Sequence, residues 1–85
     1  MEKSIYSTQH EILIQLLRKA RTEKKLTQMG LALKLKQPQS FISKYESGER
    51  RLDLVELRLI CKALDIDIID LLKRFEEEIN TNESQ

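Results

Sequence analysis

The chain's 85 residues, with 14 Leu and 9 Ile against a single Val, suffice for one domain and favour packed helices over a sheet. One His, one Cys and two isolated glycines exclude an internal disulfide, a zinc site, a phosphate-cradling glycine loop and a His-activated nucleophile, and no apolar run approaches the roughly 20 residues that cross a bilayer; no metal, cofactor or enzyme activity is expected, and a cytoplasmic location is. The formal charge of +1 conceals a split: residues 1–51 carry eleven Lys+Arg against five Asp+Glu, a net of +6, and residues 52–85 carry four against nine, a net of −5, an asymmetry that suggests a nucleic-acid partner.

From Ser7 to Lys25, Leu13, Leu16, Leu17 and Ala20 recur on one helical face, with Ser7 or Thr8 as cap. Thr27 is a natural N-cap for a short second helix ending near Leu35, with Leu31, Ala32 and Leu35 inward. Pro38 biases Gln37 away from helical geometry and can open a third helix running to about Glu46, with Ile42 and Tyr45 inward and Gly48 suited to a left-handed end. After a polar loop, Asp53 caps a fourth helix to Leu64, where Cys61 counts as a small hydrophobe, and Asp67 caps a fifth to about Ile79. These spacings make an all-α domain over residues 1–79 with a disordered tail at 80–85. The fifth helix carries more apolar residues than one seam needs: Ile68, Ile69, Leu71, Leu72, Phe75 and Ile79. Either the N-terminal segment, with Ile5, Tyr6, Ile12 and Ile14, or a second subunit covers them.

The second and third helices with their short turn, about residues 27–46, have the helix-turn-helix form. The stretch from Leu26 to Leu64, LTQMGLALKLKQPQSFISKYESGERRLDLVELRLICKAL, resembles the helix-turn-helix domain of the phage Cro and repressor type, the Xre family, and the likeness continues through Leu72. The resemblance implies a five-helix bundle of the lambda-repressor-like DNA-binding type, and a sequence-specific transcriptional regulator, a repressor, that inserts its third helix into the major groove of double-stranded DNA as a homodimer. It places Thr27 and Gln28 at a phosphate. Gln39, Ser40, Ser43 and Lys44 face outward to bases or nearby phosphates, and Phe41 meets either a thymine methyl or a neighbouring loop. Arg50 and Arg51 fall in the loop after the reading helix, where they would grip phosphates, and Arg21 with Glu46 matches a structural salt bridge, worth about 1 kcal/mol or less if exposed.

Bland roles stand beside these: Gln39 and Ser40 can cap the third helix, the cluster Arg18, Lys19, Arg21, Lys24 and Lys25 can be a solvated face, and Glu76, Glu77 and Glu78 can be solvated or repel DNA. The sequence departs from the family pattern at Lys36, where Gly is usual, so either Lys36 takes positive φ or the turn differs; Gln37 replaces an apolar residue. A dimer seam on the fifth helix would use Ile68, Leu71, Leu72, Phe75 and Ile79. Two other functions share this pattern, an antitoxin-like interaction module with an unidentified protein partner and a restriction-modification controller.

Overall fold

The computed structural model describes residues 5–83. Among them are five helices and no strand: α1 (Ile5–Glu23), α2 (Gln28–Leu35), α3 (Gln39–Glu46), α4 (Leu54–Ala63) and α5 (Ile68–Glu83). The side chains of Ile5 and Tyr6, offered as cover for the last helix, and residues 84–85 of the expected tail lie outside the described residues.

Three helices start where a short polar side chain can satisfy a free N–H. Thr27 Oγ1 accepts from Gly30 N at 2.9 Å, and Asp67 Oδ1 accepts from Ile69 N at 2.8 Å. At α4 the cap is reciprocal: Asp53 Oδ1 accepts from Glu56 N at 2.7 Å, and Glu56 Oε1 accepts from Asp53 N at 2.9 Å. Three boundaries differ from the sequence reading. Helix α1 begins at Ile5, so Ser7 and Thr8 lie within it rather than capping it. Pro38, with φ −68° and ψ 154°, is extended and precedes α3 instead of being its first helical residue. Helix α5 continues four residues past Ile79 to Glu83, because no Gly or Pro interrupts it and Ile79, itself buried, anchors that turn.

The helix ends share a device. Lys25, Lys36 and Asp65 take positive φ of 59°, 56° and 58°. Each is followed by a backbone bond reaching back five residues: Leu26 N to Arg21 O at 3.2 Å, Gln37 N to Ala32 O at 3.0 Å and Ile66 N to Cys61 O at 2.9 Å. Lys36 therefore does adopt the left-handed conformation in which the family pattern has glycine. Gly48, with φ 86°, is also left-handed after α3, but there the returning bond runs six residues back, from Arg50 N to Lys44 O at 3.1 Å.

Helices α2 and α3 pack on each other, α1 lies against α3 and α5, and α4 packs on α2 and α5. Leu17, Leu31, Ala32, Ile42 and Tyr45 are fully buried where the first three helices meet. Ala32 permits the close approach of α2 and α3. Leu71 and Ile79 are also buried within the subunit, and α1 packs on their helix, so the chain itself covers part of the α5 stripe. The large apolar side chains left open among the described residues are Leu54, Val55 and Leu59 on α4, Met29 and Leu33 on α2, and, from the α5 excess, Ile69.

The left-handed conformation costs an L-residue roughly 1–2 kcal/mol, and glycine's extra chain entropy returns about 0.5–1 kcal/mol of that. Lys36→Gly is thus expected to stabilise the fold by about 0.5–1 kcal/mol, read as a higher urea midpoint at unchanged slope; an unchanged or lower midpoint contradicts the assigned strain. Burial pushes the Cys61 thiol up to about 11 from 9.0, so the folded form holds its proton where the unfolded form has lost it. The Cys61 contribution to stability is then full below pH 9.0 and declines as pH rises toward about 11, read as a falling urea midpoint. Thiol labelling at neutral pH is expected to proceed only as fast as the chain opens, and rapid labelling of the folded form would contradict the burial.

Candidate nucleic-acid interface

Helix α3 has two sides of different chemistry. Ile42 and Tyr45 are wholly buried, whereas Gln39, Ser40 and Lys44 are exposed and Ser43 is half-exposed. No side chain caps the start of α3, so Ser40 is left with its hydroxyl facing solvent rather than satisfying the helix. Ser43 Oγ donates to Ser40 O at 3.3 Å, which leaves its oxygen as an acceptor. The four outward residues thus lie on a single rigid turn-and-a-half of helix whose inner side is locked into the core.

The orientation of Gln39 is set by a chain of polar groups that begins in the interior. Arg21 and Glu46 are both under a tenth exposed. Arg21 Nε donates to Glu46 Oε2 at 2.7 Å and a terminal nitrogen donates to Glu46 Oε1 at 3.0 Å, the two-pronged geometry of guanidinium on carboxylate. The other terminal nitrogen donates to Leu26 O at 2.7 Å, tying the end of α1 to the segment that leads into α2. Hydrogen bonding to Glu46 holds the Arg21 guanidinium still more firmly protonated than usual. Glu46 Oε1 also accepts from Gln28 Nε2 at 3.0 Å. Because a carboxylate can only accept, the Gln28 amide must turn its nitrogen inward and its oxygen outward. That oxygen accepts from Gln39 Nε2 at 3.4 Å. Gln39 retains one N–H and its Oε1, the donor and acceptor that complement the N7 and N6 edge of adenine. The structural pair is thus buried, and Gln28, whose amide the resemblance places at a phosphate, gives one N–H to Glu46 and its oxygen to Gln39, which leaves its second N–H.

Beyond α3 the two adjacent arginines differ. Arg51 is exposed, with no side-chain partner among the described residues. Arg50 is bound to Glu56 by two bonds of 2.7 and 3.1 Å, donates to Arg51 O at 3.2 Å and sits 4.7 Å above the centroid of the Phe41 ring. The Arg50 hydrogen bond holds the Glu56 carboxyl below the usual carboxylate range. Phe41 is half-buried and lies edge-on to Tyr45, with ring centroids 5.7 Å apart, while Arg50 from the neighbouring loop packs on its face. Thr27 uses its oxygen as a helix cap and keeps its hydroxyl proton for an outside acceptor.

The structure thus gathers Thr27, Gln39, Ser40, Ser43, Lys44 and Arg51 as exposed or half-exposed polar groups on α3 and its flanks, with Gln28 behind them and Arg50 and Phe41 joined to each other. Glu56 escaped the sequence reading as a partner of Arg50. Its own cue was present: Asp53 followed three residues later by Glu56 is the spacing of a reciprocal cap. No group of His, Cys, Asp or Glu among the described residues is placed to hold a metal, and no helix among them is long and apolar enough to cross a membrane.

Comparisons with known proteins agree with this geometry. The helix-turn-helix family model HTH_3 matches residues 17–71. An XRE-family like protein from Pseudomonas syringae pv. tomato str. DC3000 is 39% identical, with a TM-score of 0.83 over 87% of this chain and 90% of that one. The restriction-modification controller protein C.Esp1396I, solved as a tetramer in complex with its natural 35 base-pair operator, is 28% identical, with a TM-score of 0.78 over 91% of this chain and 97% of that one. The clp gene regulator ClgR from Corynebacterium glutamicum is 25% identical, with a TM-score of 0.78 over 91% of this chain and 82% of that one. No curated protein matches the sequence.

Replacing one member of a buried ion pair strands the other charge, at a cost of about 3–5 kcal/mol. Glu46→Gln is expected to lose about that much in urea unfolding, whereas Arg21→Met combined with Glu46→Leu, which removes both charges, loses much less. Equal losses in the single and double variants would show that packing, not the stranded guanidinium, sets the cost.

Proposed function

Because this chain belongs to the helix-turn-helix family HTH_3, of the Xre type of DNA-binding transcription regulators, we propose that it represses transcription by occupying an operator with α3 in the major groove. The observation that carries this reading is the orientation of Gln39: an exposed amide at the start of α3 whose free donor and acceptor are selected by Gln28, Glu46 and Arg21. In the proposed complex Gln39 reads an adenine and Ser40, Ser43 and Lys44 take neighbouring base edges or phosphates. Thr27 and Arg51 grip the backbone, and Arg50 contributes from its fixed place beside Phe41.

A single α3 spans few base pairs, and a two-fold dimer doubles the site by placing two such helices about 34 Å apart. The proposed homodimer seam runs along α5, through the half-buried Ile68, Leu72 and Phe75 together with the exposed Ile69. Leu71 and Ile79 support it from inside the subunit instead of meeting the partner. A second reading, control of a restriction-modification operon, is favoured by the likeness to C.Esp1396I, and the genes beside this one distinguish it: a nuclease and methyltransferase pair supports it, and any other context removes it.

Binding selection from random duplexes at two salt concentrations tests the proposal. Wild type is expected to select a palindrome with half-sites about 10 base pairs apart and to weaken steeply with salt. Gln39→Ala should lose about 1–3 kcal/mol of preference at one base pair of each half-site, while Arg51→Ala should weaken all duplexes alike and reduce the salt slope by about 1. Absence of any selected motif would refute the regulator; a motif without two-fold symmetry would refute the dimer.

A further inference from the structure

Arg50 reaches the edge of the reading helix with its charge already matched. Its guanidinium is held on three sides: by both oxygens of Glu56, by Arg51 O and by the face of Phe41, whose ring rests edge-on against the buried Tyr45. Three of its five N–H groups are engaged in these bonds, and the side chain is still 39% exposed. Glu56 has no freedom of its own, since it closes the cap of α4 through Asp53 N and is fixed by the first turn of that helix. The loop backbone is also tied back to α3 by Arg50 N to Lys44 O at 3.1 Å.

An unpaired cation in such a loop attracts any phosphate, and each phosphate so neutralised strengthens binding to every duplex equally, with a salt slope of about 0.9. A cation matched by a fixed carboxylate forfeits that general attraction. It keeps its direction, because its free N–H groups point only where the carboxylate, carbonyl and ring have aimed them. We propose that Glu56 is a specificity-determining positioning residue, which cancels the charge of Arg50 toward non-specific DNA while holding its guanidinium in register with α3. Glu56 itself touches no DNA in this scheme and acts through Arg50. The inference rests on the DNA-binding reading above.

The test measures binding of the full chain to its selected operator and to a random duplex between about 50 and 200 mM salt, a range in which phosphate contacts are resolved. Glu56→Gln keeps an oxygen for Asp53 N and so preserves the helix cap while removing the charge. It is expected to bind the random duplex about fivefold more tightly at 0.15 M salt, with a slope steeper by about 1, and to gain less on the operator, so that discrimination falls. Glu56→Ala, which removes charge and cap together, should give the same change in slope. In an Arg50→Ala background the loss of discrimination should vanish, leaving only the gain, equal on both duplexes, of removing a negative charge, an outcome that a purely structural role for Glu56 does not produce. Equal gains on both duplexes with Arg50 present, or a loss of discrimination that survives Arg50→Ala, would overturn the inference alone. If wild type itself does not separate operator from random duplex, the regulatory reading fails and this inference with it.

Discussion

The architecture turns on the buried ion pair between Arg21 and Glu46, which joins the last turns of α1 and α3 across 25 residues of sequence. Two charges withdrawn from water repay their desolvation only when every prong is used, and here the guanidinium meets both carboxylate oxygens and Leu26 O while the carboxylate also receives Gln28. The pair fixes how α2 is delivered onto α3, because the bond to Leu26 O sets the connecting segment and the bond to Gln28 sets the first residue of α2. A hydrophobic pair of similar volume would fill this space at comparable stability. What it would not supply is a preferred orientation for the Gln28 amide, and through it for Gln39. The contribution of the pair is therefore to the orientation of Gln28 and Gln39 more than to the free energy of folding.

Legibility in the sequence followed the range of the physics involved. Thr27, Asp53 and Asp67 could be read as caps because each makes its bond within three residues of itself. The inward positions Ile42 and Tyr45 were visible through helical spacing. Helix ends were harder, since Lys25, Lys36 and Asp65 take a conformation that a side chain ordinarily disfavours; the family's glycine position pointed to Lys36, whereas Lys25 and Asp65 had no such cue. The apolar excess of α5 was legible but its cover was not: burial of Leu71 and Ile79 depends on how α1 crosses α5, a tertiary fact. Likewise the burial of Arg21 and Glu46, and hence the occupation of Gln28, required three separate segments to be in place.

Arg50 and Arg51 make the same point at the interface. Side by side in the chain and identical in type, they are counted alike in any sum of charge. One is paired with a carboxylate on the next helix and stacked on an aromatic ring, and the other extends into solvent. The surplus of +6 in residues 1–51 is thus not uniformly available to a polyanion, since Arg21 and Arg50 are both neutralised by carboxylates. Charge distribution indicated the class of partner, and the pairing pattern decides which cations meet it.

The connections between helices are short: residues 24–27, 36–38, 47–53 and 64–67. Three of them are closed by a left-handed residue and a bond reaching back five positions, so an inserted residue there would break the closure and displace a whole helix. The segment 47–53 is the longest, yet Arg50 is pinned to Lys44 at one end and to Glu56 at the other. Such a scaffold tolerates little change in length. Change in such a family comes most readily by exchanging side chains on a backbone that stays put, and the outward positions of α3, exposed or half-exposed and outside the core, are where exchange disturbs the fold least.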